Sequence, residues 1–369
     1  MTRKVRRKEE NMAERYVYAV ARIRSLENSL LTDAEIGQLL ACRTIDSAKE
    51  LLSGKGWSCE ETTLHPRTEQ QEVSWQEQPD QNKETEQRRQ AGQNESPEER
   101  MLRREKEKLW ETVTDLQMDP SVLEALTLRP CYQNLKTAVR TLYAGSPDTA
   151  RAGLGQGAPG GLTAERLYGI LREKRYSALP EHMRGAAKEA PEALFRTGDG
   201  QLSDTIVDRA LLDAAEDMGS RSREEALRLW SKEFVAGANI RIAFRAARAG
   251  KDRRFLNRAL APCRGINVAG LCAAALSGTD GVCGFLGQEG YGEAAEALQD
   301  SDAAFERWCD NRVMQAIRPQ RYRVFSAGPL VAYLLAREHE IRTVRMILTG
   351  RCNGLPDSVL RERIRERYV

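Results

Sequence analysis

The amino-acid sequence predicts an all-α protein made of three similar helical lobes with pseudo-threefold internal symmetry, and two observations carry that prediction. Ala, Leu, Arg and Glu dominate the 369 residues while aromatic residues make up only 6%. These are strong helix formers, and no stretch reads convincingly as a strand. The second observation is a helical phrase that occurs three times. Its copies are Asn134-Leu-Lys-Thr-Ala-Val-Arg-Thr-Leu-Tyr-Ala-Gly145, Asn239-Ile-Arg-Ile-Ala-Phe-Arg-Ala-Ala-Arg-Ala-Gly250 and the shorter Glu340-Ile-Arg-Thr-Val-Arg-Met-Ile-Leu-Thr-Gly350. Each joins a polar residue, a base and an apolar stripe at three- and four-residue steps to a closing glycine suited to a left-handed helix cap. The copies begin 105 and 101 residues apart. That is too long for a solenoid repeat of ~20–50 residues and suits repeated small domains.

The elements follow in order. Tyr16, Ala19, Val20, Ile23, Leu26 and Leu30 share one face of an N-terminal helix. Thr32-Asp-Ala-Glu35 is a capping box that opens a second helix with Ile36, Leu39 and Leu40 inside. A third runs from Asp46 to the glycines at Gly54 and Gly56. Between Glu61 and Arg100, eight Gln and nine Glu face only four apolar residues. Such a segment cannot bury enough surface to offset its chain entropy and reads as a disordered insertion. Leu102, Leu109, Val113 and Leu116 mark a charged helix, and Asp119-Pro120 forms a cap and first helical position before the first phrase. Helices resume at Thr163, around Asp204 to Met218, from Arg223 into the second phrase, over Ala303 to Ile317, and from Pro329 to Glu338 into the third. Lobes over 101–205 and 206–310 leave 311–369 too short to stand alone. Adding 14–58 gives a third lobe of matching size, so the sequence predicts a lobe built from both chain ends, with 59–100 inserted.

Charge and chemistry exclude several classes. The 57 basic and 54 acidic residues nearly cancel, for a net charge of +3. That is not the excess of a dedicated nucleic-acid binder. No run approaches the ~20 apolar residues of a membrane span; the most apolar stretch, Val268 to Gly287, is interrupted by Asp280. The basic N-terminus lacks a following apolar region, so it does not read as a secretory signal, and a cytosolic protein is expected. Eight cysteines lie scattered without a CxxC pair, as small core residues do. His65, His182 and His339 lie far apart, so no metal site is expected. Gly153, Gly155 and Gly157 follow no strand and precede no Gly-Lys-Ser/Thr, so they form no phosphate cradle. No nucleophile elbow is present. The carboxylates of 105–108 and 361–367 alternate with bases and read as solvated helix faces. No catalytic residue, cofactor or bound nucleotide is expected.

The bases of the repeated phrase, Lys136 and Arg140, Arg241 and Arg245, and Arg342 and Arg345, stand three or four residues apart on single helix faces. Two readings fit them. They brace neighbouring helices within each lobe, or they surround a central opening that receives an acidic or polar partner. The alternative class is a free-standing helical scaffold or a nucleic-acid-associated protein, motivated by a pI near 8.4 and basic ends.

Several motifs together resemble one family. They are Tyr18-Ala-Val-Ala-Arg22-Ile-Arg24-Ser-Leu26 with Leu31-Thr32, Gln133-Asn134-Leu135-Lys136, Asn239-Ile-Arg241, Gly328-Pro329-Leu330-Val-Ala-Tyr333, and the closing Ile341-Arg342 through Gly350, Asn353-Gly354-Leu355-Pro356 and Arg361-Glu362-Arg363 to Tyr368-Val369. The set is similar to the C-type stalk component of the archaeal and bacterial V/A-type rotary ATPases, itself similar to the d-type component of the eukaryotic vacuolar enzyme. Where that family often carries an acidic residue three before the repeat asparagine, this chain has Cys131 and Ala236. The resemblance implies a funnel-like all-helical subunit on the cytoplasmic face of the membrane. It would grip the central shaft subunits D and F, rest on the membrane rotor ring of c/K type, and transmit torque without catalysis. On that reading the polar residues of the repeated phrase and the N-terminal bases, Arg22, Arg24, Asn134, Lys136, Arg140, Asn239, Arg241, Arg245, Arg342 and Arg345, are our candidate partner-interface residues.

Overall fold

The computed structural model describes residues 16–58, 96–116, 119–145 and 162–368, and every regular element among them is helical. Helix α1 (16–27) buries Ala19, Val20 and Ile23 and leaves Val17 and Tyr18 in solvent. At α2 (Asp33–Ala41) the capping box forms as the sequence predicts. The Thr32 hydroxyl accepts from the Glu35 amide, and the Glu35 carboxylate accepts from the Thr32 amide. Thr44 caps α3 (Ile45–Ser53), which ends just before the buried Trp57. The first described helix after the polar segment is α4 (Pro97–Asp115), which starts ahead of the predicted boundary at 101. The Ser96 hydroxyl accepts from the Glu99 amide, and Pro97 needs no donor at the first helical position. The rest of that segment, 59–95, lies outside the described residues, as do the basic N-terminus and the glycines at 153, 155 and 157.

Asp119 caps α5 (Pro120–Ala144), which carries the first phrase and ends on Gly145 at φ 67°. Next come α6 (Ala164–Arg172), α7 (Glu181–Thr197), α8 (Gly200–Arg221) and α9 (Glu225–Arg248). The second phrase closes α9, with Gly250 at φ 61°. Four short helices then occupy a span to which hydropathy periodicity assigns no element: α10 (Arg253–Ala259), α11 (Val268–Leu276), α12 (Thr279–Gln288) and α13 (Gly292–Asp300). Each is too short to show a sustained helical period. They precede α14 (Asp302–Ile317), α15 (Gly328–Cys352) and α16 (Asp357–Glu362).

One detail of the third phrase departs from expectation. Gly350 does not cap a helix, because α15 continues to Cys352, and the left-handed glycine is Gly354 at φ 66°. A Cβ at 350 would collide with the Leu360 side chain, so this glycine admits α16 against α15. The two halves predicted there, 329–338 and the third phrase, are one continuous 25-residue helix.

Helix α15 is wrapped by α3, α4, α9, α14, α16 and the 3-10 turn at Arg318–Tyr322. It buries 18 of its residues, so most of its surface faces other helices, as in a core helix. Apolar residues from 16–57, 101–235 and 313–368, joined by Ala261, merge into one core, and other residues between 236 and 305 build a second. The chain ends are tied by polar contacts too. Arg367 pairs with Asp33 at 2.8 Å and donates to the Leu31 carbonyl at 2.6 Å. The Tyr368 hydroxyl donates to buried Glu27 at 2.7 Å, and Arg351 donates to the Leu40 carbonyl. Among the described residues no helix is long and apolar enough to cross a membrane.

Candidate functional site

The first residue of each phrase performs the same task. Asn134 donates to the Leu162 carbonyl at 2.9 Å, just ahead of α6. Asn239 does so twice over, donating to the Ala261 carbonyl at 2.8 Å and accepting from the Ala261 amide at 2.9 Å, ahead of α11. Glu340 accepts from the Leu31 amide, ahead of α2. In every copy a buried polar side chain on a long helix fixes the backbone that leads into a short one. Such pairing is what makes a buried polar group tolerable.

The phrase bases also meet equivalent partners. Lys136 pairs with Asp208 at 2.6 Å and Arg140 with Asp204 at 2.5 Å, both acids on α8. Arg241 pairs with Glu306 at 3.7 Å and Arg245 with Asp302 at 3.1 Å, both acids on α14. Arg342 pairs with Asp310 at 3.1 Å, and Arg345 with Glu99 at 3.0 Å. In the first two copies, four-residue spacing of bases on one helix is answered by four-residue spacing of acids on its neighbour. The sequence displays those acids, but only contact identifies them as the partners. Arg22 faces Asp115 at 3.6 Å, and Arg24 holds Glu27 at 2.6 Å while lying 6.0 Å from the Tyr322 ring centre.

Deeper charges pair across helices. Arg337 lies over the Trp57 ring at 4.7 Å and bridges Glu105 at 2.6 Å and Glu340. Asp310 gathers Arg342, Arg365 and His339. Burial alone would raise its carboxyl, but Arg342, His339 and Arg365 outweigh burial and hold it well below the usual carboxylate range. Burial, reinforced by Arg342, pushes His339 down to about 3, so its ring is neutral.

Beside this cluster lies a cavity of about 300 Å³ where α4, α5, α9 and α15 approach one another. Lys106, Arg129, Arg342 and Arg345 line it with a single acid, Glu338. Its walls include Leu126, Pro130, Trp230 and Ile341. Burial, in the company of Arg345, Arg342 and Arg129, pushes the Lys106 ammonium down to about 8 against the pull of Glu338. Arg129 is surrounded by protein yet solvent-accessible, because it sits in a concavity. Its guanidinium lies 5.4 Å from the Phe234 ring centre. Sequence reasoning passes over Arg129, which lies outside the repeated phrase, and reads 105–108 as a solvated helix face, whereas Glu105 is buried and Lys106 lines the cavity.

Among the described residues no group of three or more His, Cys, Asp and Glu side chains could hold a metal ion. The long helices and the polar tie repeated between them define an all-α protein braced at equivalent points along its chain. A family model described as the ATP synthase (C/AC39) subunit matches residues 83–363, and the chain belongs to that family. No curated protein matches the chain.

Proposed function

We propose that this protein is a non-catalytic central-stalk component of a V/A-type rotary ATPase, set at the cytoplasmic face of the membrane between the shaft subunits D and F and the rotor ring. The family match over 83–363 is the observation that carries the reading. Its architecture supports the mechanical task. A torque coupler must resist shear, and close-packed helices do so better than long loops. The equivalent braces at Asn134, Asn239 and Glu340 support a division into three lobes, the third closed by residues from both ends of the chain. Arg22, Arg140 and Arg245 keep much of their side-chain area in solvent despite their ion pairs. They are our candidates for polar contacts with the shaft or ring, ahead of Lys136, which is largely enclosed.

The test is reconstitution. Membranes bearing the ring and catalytic head but depleted of this chain should hydrolyse ATP without pumping ions. Adding the purified chain back should restore D/F retention on the ring and couple hydrolysis to pumping. Coupling that is complete without the chain, or unchanged by its return, would overturn the reading.

A further inference from the structure

We propose that the loop Tyr322–Phe325, with the outer face of α1 beside it, is an anchor for the surface of an anionic lipid bilayer. Apolar exposure concentrates there. Of the eight large apolar side chains exposed among the described residues, five belong to these two segments: Val17, Tyr18, Tyr322, Val324 and Phe325. Tyr322 and Phe325 are 73% and 70% exposed. Single exposed apolar residues are ordinary, but a cluster marks an interaction surface. The two segments are fastened together at both ends. Arg24 donates to the Arg321 carbonyl and lies against the Tyr322 ring. Glu224 accepts from both the Tyr16 hydroxyl and the Ala327 amide. Val17, two helical turns before Arg24, shares its helix face and so sits on the side of the loop.

Charge chooses the occupant. No Asp or Glu occurs in 16–26 or in 311–337, whereas Arg22, Arg24, Arg318, Arg321 and Arg323 punctuate α1 and the loop. Acids reach them from outside these stretches. Asp115 pairs with Arg22, and Glu27 pairs with Arg24 and Arg321. Arg318 donates to the carbonyls of Arg367 and Tyr368, which bring no charge. Exposed Arg323 enters no ion pair among the described residues. Ahead of Tyr16 the sequence adds six bases against three acids. Aromatic rings among arginines suit a bilayer interface, where rings settle at headgroup level and bases meet the negative surface. Four consecutive exposed residues offer a tip rather than a groove, and a fluid interface takes a tip without a matching cavity. This goes beyond the coupling role, because a vesicle supplies neither shaft nor ring.

The purified full-length chain should be floated with vesicles of phosphatidylcholine alone and of phosphatidylcholine mixed with phosphatidylserine. It should float with the mixed vesicles and be released by high salt. Tyr322→Ser combined with Phe325→Ser should weaken flotation about tenfold, and Arg323→Gln about fivefold. Phe195→Ser, which removes an exposed ring on α7, should change nothing. Melting curves establish that the variants fold. In the unaltered chain, mixed vesicles should slow hydrogen exchange at the amides of 322–325. No flotation with mixed vesicles, or flotation indifferent to the double variant, overturns the anchor. If the double variant floats normally but no longer retains D/F or the ring, the patch is a protein contact; the lipid proposal then fails while the central-stalk reading stands.

Discussion

Asn239→Ala removes one small side chain yet strands two backbone groups. Asn239 is fully buried, and the Ala261 residue whose amide and carbonyl it holds is fully buried as well. Water cannot replace the lost partners there. Each stranded buried group costs about 1–3 kcal/mol, so the variant should lose about 2–6 kcal/mol. Asn134→Ala makes a built-in comparison. It loses a single bond, to the carbonyl of Leu162, which is only half-buried. Water can serve that carbonyl, and about 1 kcal/mol should be lost. Urea unfolding followed by circular dichroism gives the two free energies, and hydrogen exchange at the Ala261 amide reports the local opening. If Asn239→Ala costs no more than Asn134→Ala, or if the Ala261 amide exchanges at its original rate, the bracing argument is wrong.

Other outcomes follow from the same contacts. Double-mutant cycles on Arg245 with Asp302, a largely exposed pair, should give a coupling below about 1 kcal/mol. Exchanging the charges of Arg241 and Glu306 should restore the stability that Arg241→Glu loses. If D/F capture falls with Arg241→Glu and the exchange fails to recover it, this base faces the partner as well as its own lobe. Acid should destabilise the fold by a predictable route. The folded pKa of His339, about 3, lies below its ordinary value near 6.5, so the unfolded chain binds the proton first. Stability is therefore complete above pH 6.5 and falls toward pH 3 at up to about 1.4 kcal/mol per pH unit. Asp310, with its lowered folded pKa, adds a loss in the same direction below its ordinary value near 3.8. Melting temperatures of the wild type and His339→Gln between pH 7.5 and 4 should diverge, the variant showing the flatter profile. Tyr368→Phe leaves buried Glu27 short of a hydrogen bond and should cost about 1.5–3 kcal/mol, seen as faster exchange along α1.

The sequence alone determined the helical class, the cap at Thr32, the left-handed glycines at 145 and 250, and the recurrence of one phrase. All of these rest on interactions within a few residues, which composition and spacing record directly. Family membership was legible for the same reason, since ordered motifs survive in the chain as letters. Tertiary structure decided the rest. Gly350 reads as a cap by position but serves close packing, because only the approach of Leu360 reveals why a side chain is forbidden there. The acids opposite the phrase bases lie about 60–70 residues away in the first two copies, and charge alone cannot select them from 54 carboxylates. Arg129 and Lys106 carry no motif, and only the convergence of four helices sets them around one cavity. Local hydrogen bonds and periodicity are written along the chain, whereas the electrostatic field at a point sums over charges brought together by folding.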